Sequence, residues 1–312
     1  MNSESDHKII LVKRATRLDG LVARYNTVSQ AEFVVESQRQ DFADYRTEHD
    51  NYYRQLDLVR AQISAVGRLQ EVDRAFLPNF IFGRQDVVVA LGQDGLVANT
   101  LKYLDGQPLL GVNPDPKRWD GVLLPFSAAN LAEILQQHFA GQRRHRHVTM
   151  AEATLNDGQK LRAVNDLFIG QRTHLSYRYS LEHKGLREHQ SSSGIIVSTG
   201  LGSTGWFRSL ITGATMIAHQ VEGQAAKPRA ARAFPADAEY LYYTVREPFP
   251  SRHSQANLVF GKVTREEPLR LVSESPENSV IFSDGIEQDA LAFNSGSEAV
   301  VSLASVLGNL II

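Results

Sequence analysis

The chain has 312 residues, 42% hydrophobic and 22% charged, which suits soluble globular structure and excludes extensive disorder. With 33 Lys+Arg against 35 Asp+Glu the net charge is −2, so no general electrostatic pull toward nucleic acid or an anionic membrane exists. There is no cysteine, which removes disulfides, thiolate metal sites and a cysteine nucleophile from consideration.

The amino-terminal MNSESDHK is polar and lacks the apolar core of a signal peptide, and no run of about 18 apolar residues is present to span a bilayer. The expectation is a cytoplasmic protein of two domains, 1–142 and 143–312. Ile9 to Val12, between Lys8 and Lys13, read as the buried strand that opens an α/β sheet. From Ser29 to Arg60 the Gln-, Glu-, Asp- and Arg-rich sequence predicts solvent-facing helices. Leu56, Val59, Ile63 and Val66 recur at helical spacing and supply one apolar face, the polar remainder being a solvated face.

In Asp86 to Asn99 (DVVVALGQDGLVAN), β-branched Val87, Val88 and Val89 lead into Gly92-Gln93-Asp94-Gly95, and Val97, Leu101 and Leu104 continue at helical spacing. This pattern is strand, glycine turn, helix. Glycines admit close approach of a ligand, and the N–H groups of a new helix favour anions such as phosphate. Asp94 would repel phosphate unless it binds a cation or handles a proton. Leu109 to Val112 form another buried strand, and Asn113-Pro114-Asp115-Pro116 must turn beside Gly92 to Gly95, at the sheet edge where ligands bind in such folds. Ser127 opens a helix through Leu131, Ile134, Leu135 and Phe139 that stops at Gly141.

These alternating elements predict an N-terminal doubly wound α/β domain, and the composition then changes. Arg143 to His147 is a basic cluster, read as a solvated edge or as a phosphate contact. Beyond it, HVTMAEATL, LRAVNDLFIG, LSYRYSLEH, LREHQ, GIIVSTG, YLYYTV, LRLVSE and SVIFSDG are short β-rich runs divided by turn residues, predicting a C-terminal β-sheet, sandwich-like domain. Its one helix begins near Ser203, after the turn Gly200 to Gly205.

Three polar clusters remain. Besides Gly92 to Gly95 there is Asn165-Asp166, at the centre of an apolar strand where polar groups need partners, either a neighbouring loop or a ligand. Gly202 to Ser209 offers N–H and O–H donors at a helix start, as an ordinary cap or toward a ribose, base or phosphate. Standard phosphate-loop, GxGxxG and GxSxG motifs are absent, and His145 and His147 lack the further ligands zinc needs, so no protein-held metal site is assigned.

The ordered set LGQDG (Leu91 to Gly95), GVNPDPKRWDG (Gly111 to Gly121), AVNDLFIG (Ala163 to Gly170), SSGIIVSTGLGSTGWFRS (Ser192 to Ser209) and SDG (Ser283 to Gly285) resembles the NAD kinase family, closest to its mitochondrial-type branch, whose first strand is also similar to LVKRATR here. The resemblance implies an active site between an α/β and a β domain, last strands that return to the first domain, and transfer of the ATP γ-phosphoryl, with Mg2+, to the adenosine-ribose 2′-hydroxyl of NAD. Carried over residue by residue, it implies Asp94 as catalytic base, Gly92, Gln93 and Gly95 as phosphate-binding, and Asn165, Asp166, Ser193, Thr204, Gly205, Trp206 and Ser209 as dinucleotide-binding. NAD and ATP are the implied partners, in a homo-oligomer, dimer or tetramer, without nucleic acid or membrane. Three positions depart from the family pattern: Gln93 replaces the second glycine of GGDG, Leu96 a threonine, and Ser193 an aspartate common in the dinucleotide site. Two alternatives stay open, a nucleotide-binding protein that has lost turnover through Gln93 and a kinase of the same fold acting on a lipid or sugar hydroxyl.

Overall fold

The computed structural model describes residues 7–222 and 233–312, so the first six residues of the polar amino-terminal stretch lie outside the described residues. The chain divides into two compact units, one formed by residues 1–146 with 309–312 and the other by 147–308.

Unit 1 opens with β1 (Lys8–Lys13), α1 (Arg17–Tyr25), α2 (Val28–Ser37), α3 (Phe42–Ser64) and β2 (Arg68–Asp73). It continues with β3 (Val87–Leu91), α4 (Asp94–Leu101), β4 (Pro108–Val112), α5 (Leu131–Phe139) and β5 (His145–Val148). The sheet order is β2-β1-β3-β4-β18-β5, where β18 (Gly308–Ile311) is the last strand of the chain. The pairs β1–β2, β1–β3, β3–β4 and β4–β18 are parallel. Ile9, Leu11, Val87, Val89 and Leu110 share a core with Leu56, Val59 and Ile63 of α3 and Ile134 of α5. Ile10, Val88 and Ala90, which alternate with them, are equally buried. A sheet covered on both faces needs apolar residues at consecutive positions, which is why β1 and β3 read as unbroken runs.

The polar side of α3 is more than a solvated face. Asp44 and Glu48, four apart and therefore on one side of the helix, collect the basic residues that follow β1. Glu48 is buried and accepts from Arg14 at 2.9 Å and Arg17 at 2.6 Å, while Asp44 accepts from Arg17 at 2.7 Å and also binds Arg118. Burial alone would raise the Glu48 carboxyl, yet the two guanidiniums prevail and hold it below its usual range.

Unit 2 contains β6 (Ala151–Leu155), β7 (Lys160–Ala163), β8 (Asp166–Gln171), β9 (Tyr177–His183), β10 (Leu186–Ser192), β11 (Ile195–Ser198), α6 (Trp206–Glu222), β12 (Leu241–Val245), β13 (Phe260–Val263), β14 (Leu269–Ser273), β15 (Ser279–Ser283), β16 (Ile286–Ala292) and β17 (Glu298–Leu303). They form two six-stranded sheets, β10-β9-β14-β17-β6-β7 and β13-β12-β11-β8-β15-β16. Tyr179, Leu181, Leu271 and Val301 of the first sheet pack in one cluster with Leu167, Ile169, Ile195 and Tyr243 of the second. This is the sandwich the short alternating strands predict.

One expectation is corrected. Asn165-Asp166 does not lie at the centre of a strand, because the run breaks at Val164-Asn165 and its two halves, β7 and β8, belong to different sheets. The N–H groups that a continuous ladder would use are taken by a side chain 120 residues later: the Asp284 carboxylate accepts from Val164 at 3.0 Å, Asn165 at 2.7 Å and Asp166 at 3.2 Å. Among the described residues no helix is long and apolar enough to cross a membrane.

Candidate functional site

In unit 1 the carboxyl ends of β3 and β4 carry the first cluster. Gln93 is extended (φ −116°, ψ 165°), so this residue in place of a glycine imposes no backbone strain, and its side chain gives α4 no cap. The opening N–H groups of α4 are thus left without side-chain cover, where a helix favours an anion. Asp94, half-buried in the first turn, accepts the Leu123 N–H through Oδ1 at 2.6 Å. The Asn113 side chain shapes the same loop, accepting from Asp115 N–H at 3.0 Å and donating to Trp119 O at 3.0 Å.

Gly92 and Gly95 differ in kind. A Cβ on Gly92 would stand 2.8 Å from Leu96 Cδ2 and 3.6 Å from Arg14 Cδ, so the fold itself keeps this residue small. Gly95 is exposed, and a Cβ there would meet nothing within 4 Å. Glycine in a helix costs roughly 0.5–1 kcal/mol relative to alanine. No packing within the chain demands it at Gly95, and the space it leaves open lies beside Asp94.

Unit 2 carries a pocket of about 380 Å³ lined by Asn165, Asp166, Thr204, Gly205, Trp206 and Asp284, among others. Its construction is long-range. Asp284 and Gly285 both have positive φ (55° and 73°) and join β15 to β16 through a two-residue turn, of the kind Asp-Gly favours. That turn aims the Asp284 carboxylate at the β7–β8 break. The start of α6 arrives from the other side, and Gly202 is indispensable there because a Cβ would lie 2.2 Å from Asn165 O and 2.8 Å from Asp166 Oδ1. Thr199 completes the joint, its hydroxyl donating to Val164 O at 2.5 Å and its N–H to Asn165 O at 2.9 Å.

Asp166 is 8% exposed and its Oδ1 has no hydrogen-bond partner among the described residues. Burial, opposed by the Ser198 hydroxyl and reinforced by the Asp284 charge, pushes its carboxyl up to about 7. At neutral pH this group stands between donor and acceptor. Trp206, 36% exposed, stacks on Phe168 at 5.8 Å with 12° between the rings, Phe282 stacks on Phe168 at 4.8 Å, and the Arg246 guanidinium lies 5.5 Å from the indole. A braced, half-exposed indole is a platform for a planar ring.

Five of the seven residues expected in a dinucleotide site therefore line one pocket. Ser193 and Ser209 do not. Ser193 ties its N–H to Arg246 O, and Ser209 sits exposed on α6, one turn beyond Gly205. The sequence did not mark Asp284 in the pocket lining or Arg246 behind the Trp206 platform. The SDG motif was the available signal for the first, and nothing local marks the second. Among the described residues no three His, Cys, Asp or Glu side chains stand together to hold a metal.

Compared with solved structures, the chain is similar to an NAD kinase from Archaeoglobus fulgidus in complex with ATP, at a TM-score of 0.56 and 16% identity, over 98% of this chain and 93% of that one. It is also similar to yeast NADH kinase complexed with NADH, at a TM-score of 0.57 and 13% identity, over 99% of this chain and 84% of that one. No family model and no curated protein sequence matches. Likeness at such low identity establishes the fold, and the chain has the fold of the NAD kinases.

Proposed function

We propose that the chain is an NAD kinase-like phosphotransferase that moves the γ-phosphoryl of ATP to the adenosine-ribose 2′-hydroxyl of NAD, giving NADP and ADP. The observation that carries this reading is the unit 2 pocket, where an aromatic platform at Trp206 adjoins the buried carboxyl of Asp166 and the half-buried carboxylate of Asp284. A base and a polyhydroxylated ribose need that combination, whereas a lipid acceptor would want an apolar trough. On this reading the opening of α4 receives phosphate, with Gly95 giving close approach. Asp94, fixed through Oδ1, keeps Oδ2 to accept the proton of the attacking hydroxyl. The O–P bond to the 2′-oxygen then forms as the bond to ADP breaks.

Mg2+ usually binds through one or two carboxylates plus substrate phosphates, and a turn with the single carboxylate Asp94 fits an ion delivered with ATP. When bound, it would neutralise charge on the transferred group. Incubation with NAD, ATP and Mg2+ should yield NADP, and absence of NADP alongside tight NAD binding would favour the alternative of a binding protein. The half-buried Gln93 side chain at the turn is the specific observation behind that alternative, and Gln93→Gly would then be expected to raise turnover.

A further inference from the structure

A second cavity in unit 2, of about 780 Å³, shares no lining residue with the pocket at Asn165. It lies among the end of β8, the start of β9, the end of β10, the β14–β15 link and the turn at 249–254. Its size falls in the range of small-molecule sites, about 300–1,000 Å³.

Backbone-anchored bonds hold the walls. The Ser275 hydroxyl accepts the Arg178 N–H at 2.9 Å, and the Glu274 N–H donates to Arg178 O at 2.9 Å. The Gln171 amide donates to Glu277 O at 3.1 Å and Ser279 Oγ at 3.0 Å. The 249–254 turn is closed by Ser254 Oγ donating to Phe249 O at 2.7 Å, and is joined to β10 by the Phe249 N–H on Ser191 O at 2.8 Å. These bonds come from the chain's own fold, so the cavity is preformed.

Its charges divide into committed and uncommitted. His189 Nδ1 engages the Glu274 carboxylate at 2.7 Å. Among the described residues the Arg178 guanidinium and the Glu277 carboxylate have no partner, although both belong to the lining. Phe249 and Leu175, 64% and 59% exposed, add apolar surface to the same lining. One free cation, one free anion and uncovered apolar surface match a ligand with the reverse charges and an apolar body.

We propose that this cavity binds a zwitterionic, amino-acid-like metabolite with an apolar side chain: its carboxylate at Arg178, its ammonium at Glu277, its side chain on Phe249 and Leu175. The assignment rests on unit 2 alone and does not depend on the kinase reading.

Calorimetry on the full chain tests it, with L-phenylalanine as probe and two single-charge analogues, 3-phenylpropionate and phenethylamine. The zwitterion should bind, and each analogue should bind about tenfold more weakly or worse, the cost of a charged group left unpaired. Arg178→Ala should abolish L-phenylalanine binding and Arg178→Lys should restore part of it. Glu277→Gln should erase the preference for L-phenylalanine over 3-phenylpropionate. Because the wall bonds at Arg178 use its backbone, these variants should melt like the parent, and any NADP formation should be unchanged. No binding at millimolar probe, equal binding of 3-phenylpropionate, or binding indifferent to Arg178→Ala would each overturn the proposal.

Discussion

The turn at Gly92 to Gly95 and the pocket at Asn165 and Asp166 are built by opposite means. The first is local. A buried strand, two residues and a helix that begins at Asp94 place that side chain almost unaided, with one bond from Leu123 to fix the carboxylate. The second exists only when three distant segments meet: the β7–β8 break, the start of α6 and the Asp284-Gly285 turn. Changes at the turn should therefore alter chemistry without loss of stability, and removal of the bonds that join the three pocket segments should damage both.

The largest effect should come from Asp284→Ala, which strips three backbone N–H groups of their acceptor. Each buried donor left unpaired costs about 1–3 kcal/mol, so urea unfolding should show a loss of roughly 3 kcal/mol or more, with Asp284→Asn recovering part of it. A loss no greater than that of an ordinary surface substitution would break the contrast between the two regions.

Asp166→Asn should act through pH. Burial raises the folded-state carboxyl to about 7, well above the ordinary carboxylate range, so the native state holds its proton where the unfolded chain has released it. The contribution is fully present below about pH 4 and is lost as pH rises through about 7. Above that, an ionised Asp166 burdens the fold by an upper bound of roughly 4 kcal/mol. The Asn variant should gain on the wild type between pH 4 and 8 in parallel urea titrations, and parallel curves would contradict the assigned shift.

Gly95→Ala inverts the pattern. With open space at the Cβ position, alanine should stabilise unit 1 by about 0.5–1 kcal/mol. The same methyl group should weaken ATP use, measured as a raised KM for ATP. A stabilised variant with unaltered kinetics would mean that phosphate does not approach there.

The same contrast explains what could be read from sequence. β1, β3, α4, β4 and α5 are visible because apolar spacing alone defines them. α1 (RLDGLVARY) went unread, although Thr16 and Asp19 form a capping box at its start. β2 is polar at four of its six positions and β16 has no buried residue, so neither offers the buried apolar run that marks a strand. Val164-Asn165 looked like the middle of a strand because the acceptor of its amides lies at Asp284, where no local pattern points. Buried Glu48 likewise shows its purpose only once Arg14 and Arg17 are brought to it.

The most direct test of the central claim is NADP formation by the wild type and by Asp94→Asn, assayed with NAD, ATP and Mg2+. The asparagine can still accept the Leu123 N–H, so stability should stay within about 0.5 kcal/mol. Loss of a proton acceptor should lower kcat by about 10²–10⁴, with NAD binding intact. NADP formation at the wild-type rate in Asp94→Asn would contradict Asp94 as the base.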